Sequence, residues 1–482
     1  MRALSAAAPK TCRSMVTAET LDAGTVAVTT RPRAGVVALR LTWTALAVVL
    51  ASATTAVTAT IGPDSRWLAA LGRIVAEEGR IPHGIPFAAA VSASWPNVPV
   101  LAEVAFGGLF TAFGARGLLV AQLLAVAVAM AILGRDMRRE GATDAGAATV
   151  LALLLPGALL AFAGVKAQLF SIALFPAAAV LLRAETRRPS RRIWLVVPLL
   201  ALWSNLHGVA LLGLAVLLAY LLLERARRAP MESAAVAVAS ALALCATPAL
   251  EQTPRYYADV MTSEAAARGY GLWAPLSLHA GFDVLLVAVA LPLLAAFVRA
   301  RPRVWEFAVA AALAGLTIHA ARDGVWLLLF VAPPAAQALR LRSSAPRAIA
   351  HGIAFVLVAV GGLALVRGPM TAGASERLVH QAIAAAQGGP ILAEPATAER
   401  IALAGGRVVI SNPLDAFSRT DQRAYIDWLQ ARRSADPLLR RTRVVVVSAR
   451  SPADRRLRRD GSFRAYAESA GFRIYLRTRL AP

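Results

Sequence analysis

Cysteine is nearly absent from this chain of 482 residues. Cys12 lies in the N-terminal tail and Cys245 in an apolar run, so neither a disulfide framework nor a thiolate metal cluster can be built. Charge is scarce as well, at 16% of residues against 58% hydrophobic, and the mean hydropathy is +0.59. That balance excludes a soluble fold, disorder, and the collagen-like and disulfide-scaffold classes. Lysine is almost missing: Lys10 and Lys166 are the two among 51 cations, the rest being arginine, a skew that reports genome composition rather than chemistry. Acids number 28, leaving a formal charge of +23. In so apolar a chain, that excess sets membrane orientation before it serves nucleic acid, and no nucleic-acid partner is expected. Fixed-period repeats are absent too.

What the chain has instead is a series of apolar runs separated by arginine clusters. A tail over residues 1–40, too long and too rich in Thr and Arg for an ordinary signal peptide, reads as a cytoplasmic arm. The run from Leu41 to Gly62 is long enough for a bilayer core, which takes about 20 residues. Arg31, Arg33 and Arg40 on its N-terminal side direct it outward. Clusters at Arg135 to Arg139, Arg183 to Arg192, Arg225 to Arg228, Arg299 to Arg303 and Arg340 to Arg347 then each belong on the cytoplasmic side. Between consecutive clusters the chain must cross an even number of times. Hairpins follow at Ala145 to Leu182, Ile193 to Leu223, Met231 to Val298 and Val304 to Leu339, with outer tips near Lys166, at Ser204 to Gly208, at Glu251 to Gly281 and at His319 to Asp323. A last span runs from Ile349 to Val366. From Gly62 to Arg135 the count must be odd. The short stretch Val98 to Gly114, which carries Glu103, is therefore taken as an interfacial helix, and Gly117 to Gly134 as the span. The fold class expected is an all-α polytopic membrane protein of about eleven spans over residues 41–366. Over residues 367–482 a small extracytoplasmic α/β domain follows. Its strand-like runs are Arg407 to Ile410, Arg443 to Ser448 and Phe472 to Leu476, and its helix-like segments are Pro452 to Arg459 and Ser462 to Ala470.

On this topology the unusual polar residues gather on the outer side, among them Asp64, His83, Glu103, Lys166, Asn205, His207, Arg322 and Asp323. Charge at membrane depth costs roughly 2.5–3.5 kcal/mol, so such a set points to a polar cavity open to the outside rather than to scattered wet tips. Asp64, directly after the first span, is placed to act as a general base toward an acceptor hydroxyl, and equally to cap the helix that follows; the two roles are compatible.

A pattern of motifs now stands out. Asp64-x-x-Trp67, Gly79-x-Ile81-Pro82 and Trp95 come first, then Lys166-x-Gln168-Leu169-Phe170-Ser171, Trp203-x-Asn205-Leu206-His207-Gly208 and Ala321-Arg322. Together they resemble the GT-C glycosyltransferases, bacterial polytopic proteins that use polyprenyl-phosphate sugars. The likeness runs from Arg40 to Arg340, and Ser411-Asn412-Pro413 and Asp421 to Tyr425 resemble the outer domain of some members. The resemblance implies that Asp64 is the catalytic acid of the first outer loop. It further implies that Lys166, His207 and Arg322 belong to the wall that receives the lipid phosphate and sugar; His83, Glu103 and Asn205 are further candidates for substrate binding among the outer polar residues. The family's His-Glu pair is replaced by Asn97-Val98-Pro99, leaving Glu103 as the substituting acid. Phosphate leaving at a membrane face needs cations rather than a nucleotide fold, so no nucleotide cofactor is expected, and a divalent cation stays open. Trp67, Trp95, Trp273 and Trp326 can be read as sugar-stacking residues or as an interfacial belt. The expected partners are a polyprenyl-phosphate sugar and an envelope glycan, lipid or protein acceptor. A flippase for lipid-linked sugars, or a non-catalytic relative binding envelope partners, are the alternatives. A transporter would want midplane charges and repeated halves, which the sequence lacks.

Arginine parity makes a direct prediction. Reporter fusions after Arg138, Arg188, Arg227 and Arg342 are expected to read cytoplasm, and those after Arg255 and Thr371 the outside. An outside signal after Arg138 would mean that Val98 to Gly114 crosses the bilayer, inverting every later loop.

Overall fold

The computed structural model describes residues 42–341 and 347–478. The arm expected over residues 1–40 lies outside them, as does Arg342. In chain order the helices are α1 (Trp43–Thr58), α2 (Ser65–Glu78), α3 (Val100–Arg139), α4 (Asp144–Gly157), α5 (Leu159–Ala163), α6 (Gln168–Arg187), α7 (Val196–Ser204), α8 (Ala210–Tyr220), α9 (Pro230–Leu244), α10 (Thr253–Met261), α11 (Glu264–Ala267), α12 (Gly281–Arg299), α13 (Val304–His319), α14 (Gly324–Ala338) and α15 (Arg347–Arg367). Among the described residues α3, α6, α12 and α15 are long and apolar enough to cross a bilayer by length and composition. α14 is almost wholly buried, from Gly324 to Ala336, and packs against α3, α4, α12 and α13.

The arginine-bearing helix ends meet at one end of the bundle, and there they are paired rather than merely exposed. Arg183 of α6 places Nε 2.9 Å from Glu306 Oε1 on α13, and Nη1 3.6 Å from Asp136 Oδ2 on α3. Arg187 pairs with Glu140. Arg225, just beyond α8, bridges Glu185 of α6 at 3.0 Å and Glu232 of α9 at 2.9 Å. Asp144 at the start of α4 accepts the N–H of Trp43 at 2.7 Å and of Thr44 at 3.2 Å, tying α1 to the same end. Burying one of these charges without its partner would cost several kcal/mol, so the pairs dictate which helix ends lie side by side.

At the opposite end three two-residue strands form a parallel ribbon. β1 (Thr60–Ile61) lies between β2 (Gly164–Val165) and β3 (Met370–Thr371), with Ile61 opposite Val165 and Thr371. The chain then turns into α2, whose face packs on the first part of α3 so closely that a Cβ on Gly72 would sit 1.8 Å from the Glu103 carbonyl oxygen. The two helices that the sequence suggests over Val98 to Gly114 and Gly117 to Gly134 are present within Val100–Arg139, parted at Gly114 by a non-helical backbone (φ 59°, ψ −151°). Glycine alone adopts that conformation cheaply, which is why the break falls there.

The C-terminal part contains α16 (Glu376–Ala386), β4 (Ile391–Ala393), α17 (Pro395–Leu403), α18 (Arg419–Leu429), α19 (Asp436–Arg440), β5 (Val444–Ser448), α20 (Pro452–Arg459), β6 (Phe463–Ser469) and β7 (Phe472–Arg477). Its sheet runs β4-β5-β7-β6, parallel only between β4 and β5. Two expectations need correction. Ser462 to Ala470 is not a helix but strand β6, paired antiparallel with β7. The two-residue turn Ala470-Gly471 has positive φ at both positions (48° and 78°), the hairpin geometry that overrides the helical preference of Ala and Glu. The run Arg407 to Ile410 is not a full strand either. Val408 bridges Ile391 on one side and Ala88, in the segment between α2 and α3, on the other. Through that bridge, and through a core shared by Trp67, Leu68 and Leu71 with Ile391, Val445 and Tyr475, the C-terminal part is built onto α2.

The α2–α3 contact is a test of this packing. Gly72→Ala should lower the thermal stability of the detergent-solubilised protein by about 1–3 kcal/mol. Gly108→Ala, whose Cβ would meet open space, should leave it unchanged.

Candidate functional site

Asp64 occupies the N-cap position of α2 in the left-handed region (φ 82°), yet its side chain makes no capping hydrogen bond. The amide end of α2 is instead satisfied by Glu399, a fully buried carboxylate on α17. Glu399 Oε1 accepts the N–H of Asp64 at 2.8 Å, and Oε2 accepts those of Arg66 at 3.2 Å and Trp67 at 3.4 Å. The Asn412 side-chain amide donates to Oε1 at 2.9 Å. Burial and the neighbouring Asp64 charge raise Glu399 above the usual carboxylate range, and the Asp64 amide, the Asn412 amide and the Arg66 charge pull it back down. The capping that the sequence leaves open to Asp64 is thus carried out by a different acid.

The β1–β2 pairing brings Asp64 beside the Lys166 tip, and Ser65 Oγ donates to the Val165 carbonyl. Arg322 lies in the α13–α14 turn, held where the Ala321 N–H donates to the Ala274 carbonyl at 3.1 Å. Its guanidinium stacks 3.7 Å above the ring centroid of Trp273. Asp64, Lys166, Gln168 and Arg322 all line one cavity of about 480 Å3. Its remaining wall is largely apolar, with Leu159, Leu160, Phe282, Leu286 and Val325 running from the polar corner along α5, α12 and α14. Neither Lys166 nor Arg322 forms an ion pair with a described residue. Burial lowers the pKa of Lys166; Asp64 and Asp323 oppose the shift and Arg322 adds to it. Arg322 is lowered in the same way by burial. Two partly desolvated cations without an ion pair among the described residues, with the Asp64 and Asp283 carboxylates lining the same cavity, can hold an anion there.

The other residues singled out in the sequence lie elsewhere. His207 sits behind the cations: its Nδ1 is 2.7 Å from Ser171 Oγ, which itself accepts the Trp203 indole N–H at 2.7 Å. Burial, then Lys166 and Arg322, lower His207 to about 3, so it is neutral near pH 7. The two motifs that carry Ser171 and His207 therefore meet through a hydrogen-bond relay, not through shared contact with the cavity. Asn205 is structural, donating to the carbonyls of Ala201 at 2.8 Å and Ala246 at 2.6 Å. Glu103 is fully buried and accepts from the Asn97 amide at 3.0 Å. His83 is exposed, and none of these four lines the cavity. Trp67, Trp95 and Trp326 are buried, and Trp273 serves Arg322. Sequence reasoning missed Glu399, and it missed Asp415, which accepts the Trp95 indole N–H at 3.2 Å and is raised to about 6 chiefly by burial. No local signal marks Glu399; Asp415 follows the Ser411-Asn412-Pro413 element at once. Among the described residues no group of three or more His, Cys, Asp or Glu side chains is placed to hold a metal ion.

No family model matches the sequence, and no curated protein matches it. Among solved structures the chain aligns with ArnT from Cupriavidus metallidurans bound to undecaprenyl phosphate, at TM-score 0.49 and 15% identity over 90% of this chain and 97% of that one. The apo state of the same protein aligns at TM-score 0.49 and 16% identity, over 90% and 96%. A mycobacterial arabinofuranosyltransferase, AftD, aligns at TM-score 0.49 and 14% identity, covering 90% of this chain and 41% of that one.

The electrostatics predict how the cavity handles an anion. Because burial lowers the Lys166 pKa, its cation is present below that lowered value and is lost as pH rises through it, before an ordinary lysine would titrate. Binding of a short-chain alkyl phosphate, followed by calorimetry in detergent, should weaken over that window. Lys166→Ala should cost about tenfold or more near neutral pH, and Lys166→Arg should retain affinity while removing much of the pH dependence. Equal affinity in the alanine variant would take Lys166 out of the site.

Proposed function

We propose that the protein is an integral membrane glycosyltransferase of GT-C architecture, moving a sugar from a polyprenyl-phosphate donor to an envelope acceptor. The observation that carries this reading is the convergence of Asp64, Lys166 and Arg322, from three distant parts of the chain, on one cavity whose other wall is apolar. Its volume falls within the usual range of small-ligand sites, about 300–1,000 Å3. The donor phosphate sits between Lys166 and Arg322, and the prenyl chain follows the apolar wall toward Phe282 and Leu286. In the transfer step Asp64 takes the proton of the acceptor hydroxyl and the acceptor oxygen bonds to the anomeric carbon. The bond from that carbon to the phosphate oxygen breaks, with its electron pair leaving on the phosphate. Lys166 and Arg322 stabilise the charge that develops there. An envelope glycan, lipid or protein is the acceptor class.

Arginine parity supports a cytoplasmic-membrane location with eleven spans, the paired arginine end in the cytoplasm and the cavity end outside. The C-terminal part, joined to the cavity end through β3 and α17, then lies outside the membrane.

Asp64→Asn is the deciding substitution. Asn tolerates the left-handed backbone at this position, and Glu399 rather than residue 64 caps α2, so the fold and the binding of polyprenyl phosphate should persist. Transfer measured in membranes of matched protein content should fall by about two to four orders of magnitude. A wild-type rate would sink the general-base assignment.

A further inference from the structure

We infer that Glu399, on the C-terminal part of the chain, is a positioning residue for Asp64, so that this part completes the catalytic centre and is more than a binding appendage. The inference rests on Asp64 being the base.

Its ground is an exchange of roles. An Asp at a helix N-cap ordinarily turns its carboxylate back onto the second or third amide of the helix. In this protein the amides of Arg66 and Trp67 are already taken by Glu399 Oε2, and the Asp64 amide by Oε1. The Asp64 carboxylate has no capping duty left and lines the cavity with Lys166 and Arg322. Glu399 itself does not line the cavity and touches none of its cations, so its effect must pass through Asp64. The carboxylate that does this comes from 335 positions along the chain from Asp64.

Glu399 is fixed on both sides. Asn412 donates to the same oxygen as Asp64, from a segment that leads within three residues to Asp415 and its bond to Trp95. Around it, Arg66 Nη1 donates to the Ala372 carbonyl at 3.1 Å and Arg73 Nη2 to the Leu403 carbonyl at 3.1 Å. Val408 and Val409 pair with residues 87–90 of the first outer loop. The attachment of the C-terminal part to α2 is therefore rigid at the residue whose carboxylate must meet an acceptor hydroxyl within hydrogen-bond reach. Misplacement of such a group by about 1 Å can cost on the order of 100-fold in rate.

The test is a double-mutant cycle on the full-length protein in membranes, with Glu399→Gln, Asp64→Asn and the double variant. Glutamine keeps the size but replaces one accepting oxygen by an NH2 group, which cannot receive its pair of N–H donors. Glu399→Gln should lower kcat about 10–100-fold while the affinity for polyprenyl phosphate stays within about twofold, because Lys166 and Arg322 are held by other elements. In the Asp64→Asn background the same substitution should have no further effect. A wild-type kcat in Glu399→Gln would overturn the inference, and so would a loss of phosphate affinity in step with kcat, or an undiminished effect in the Asp64→Asn background. A wild-type rate in Asp64→Asn alone is a separate result that removes the base reading. Should Glu399→Gln fail to accumulate, Asn412→Ala removes one donor and leaves the cap in place; it should lower kcat about threefold at constant phosphate affinity, and an unchanged kcat there overturns the inference.

Discussion

A charge held away from water must be matched, and the two ends of this helical bundle meet that constraint in opposite ways. At one end Arg183, Arg187 and Arg225 are matched by Asp136, Glu140, Glu185, Glu232 and Glu306, so the ion pairs hold the helix ends in register. At the other end Lys166 and Arg322 face a cavity and form no ion pair with a described residue, with Trp273 taking one face of the guanidinium. Unmatched cations in a low-dielectric pocket are costly in the empty protein and attractive to an anion for the same reason. The first end makes the scaffold rigid enough for the second to remain unsatisfied.

Between these ends, α2 is the element on which the site depends. It is short and amphipathic, and it is clamped on three sides: by α3 through the Gly72 and Gly107 contact, by β1 and β2 through Ser65, and by α17 through Glu399. Each clamp comes from a different region of the sequence. The position of Asp64 is thus a property of the whole chain, and the small ribbon β2-β1-β3 records the same convergence in backbone hydrogen bonds.

Much of the architecture could be read in advance because it follows from local rules. Arginine clusters against apolar runs marked helix ends now seen paired together, and the hairpin tips at Lys166, His207 and Arg322 fall in turns between helices. β5, β7 and α20 appear where β-branched runs and a Pro-initiated basic helix suggested them. β6 departs from the helix that its alanines and Glu468 favour, because the Ala470-Gly471 turn makes it one arm of a hairpin, and cross-strand pairing outweighs intrinsic preference.

What the sequence determined by itself was therefore the membrane class, the alternation of helix ends and the placing of an acid and two cations in turns between helices, since hydropathy and charge act over short windows. Only the tertiary structure decided which of the polar tips share a cavity. It brought Asp64, Lys166 and Arg322 together, set His207 behind them on Ser171, and turned Glu103 inward to Asn97. It also gave the cap of α2 to Glu399, a residue with no local mark in the sequence, because a buried amide end accepts whichever carboxylate the packing delivers, and here that packing joins residues more than three hundred positions apart.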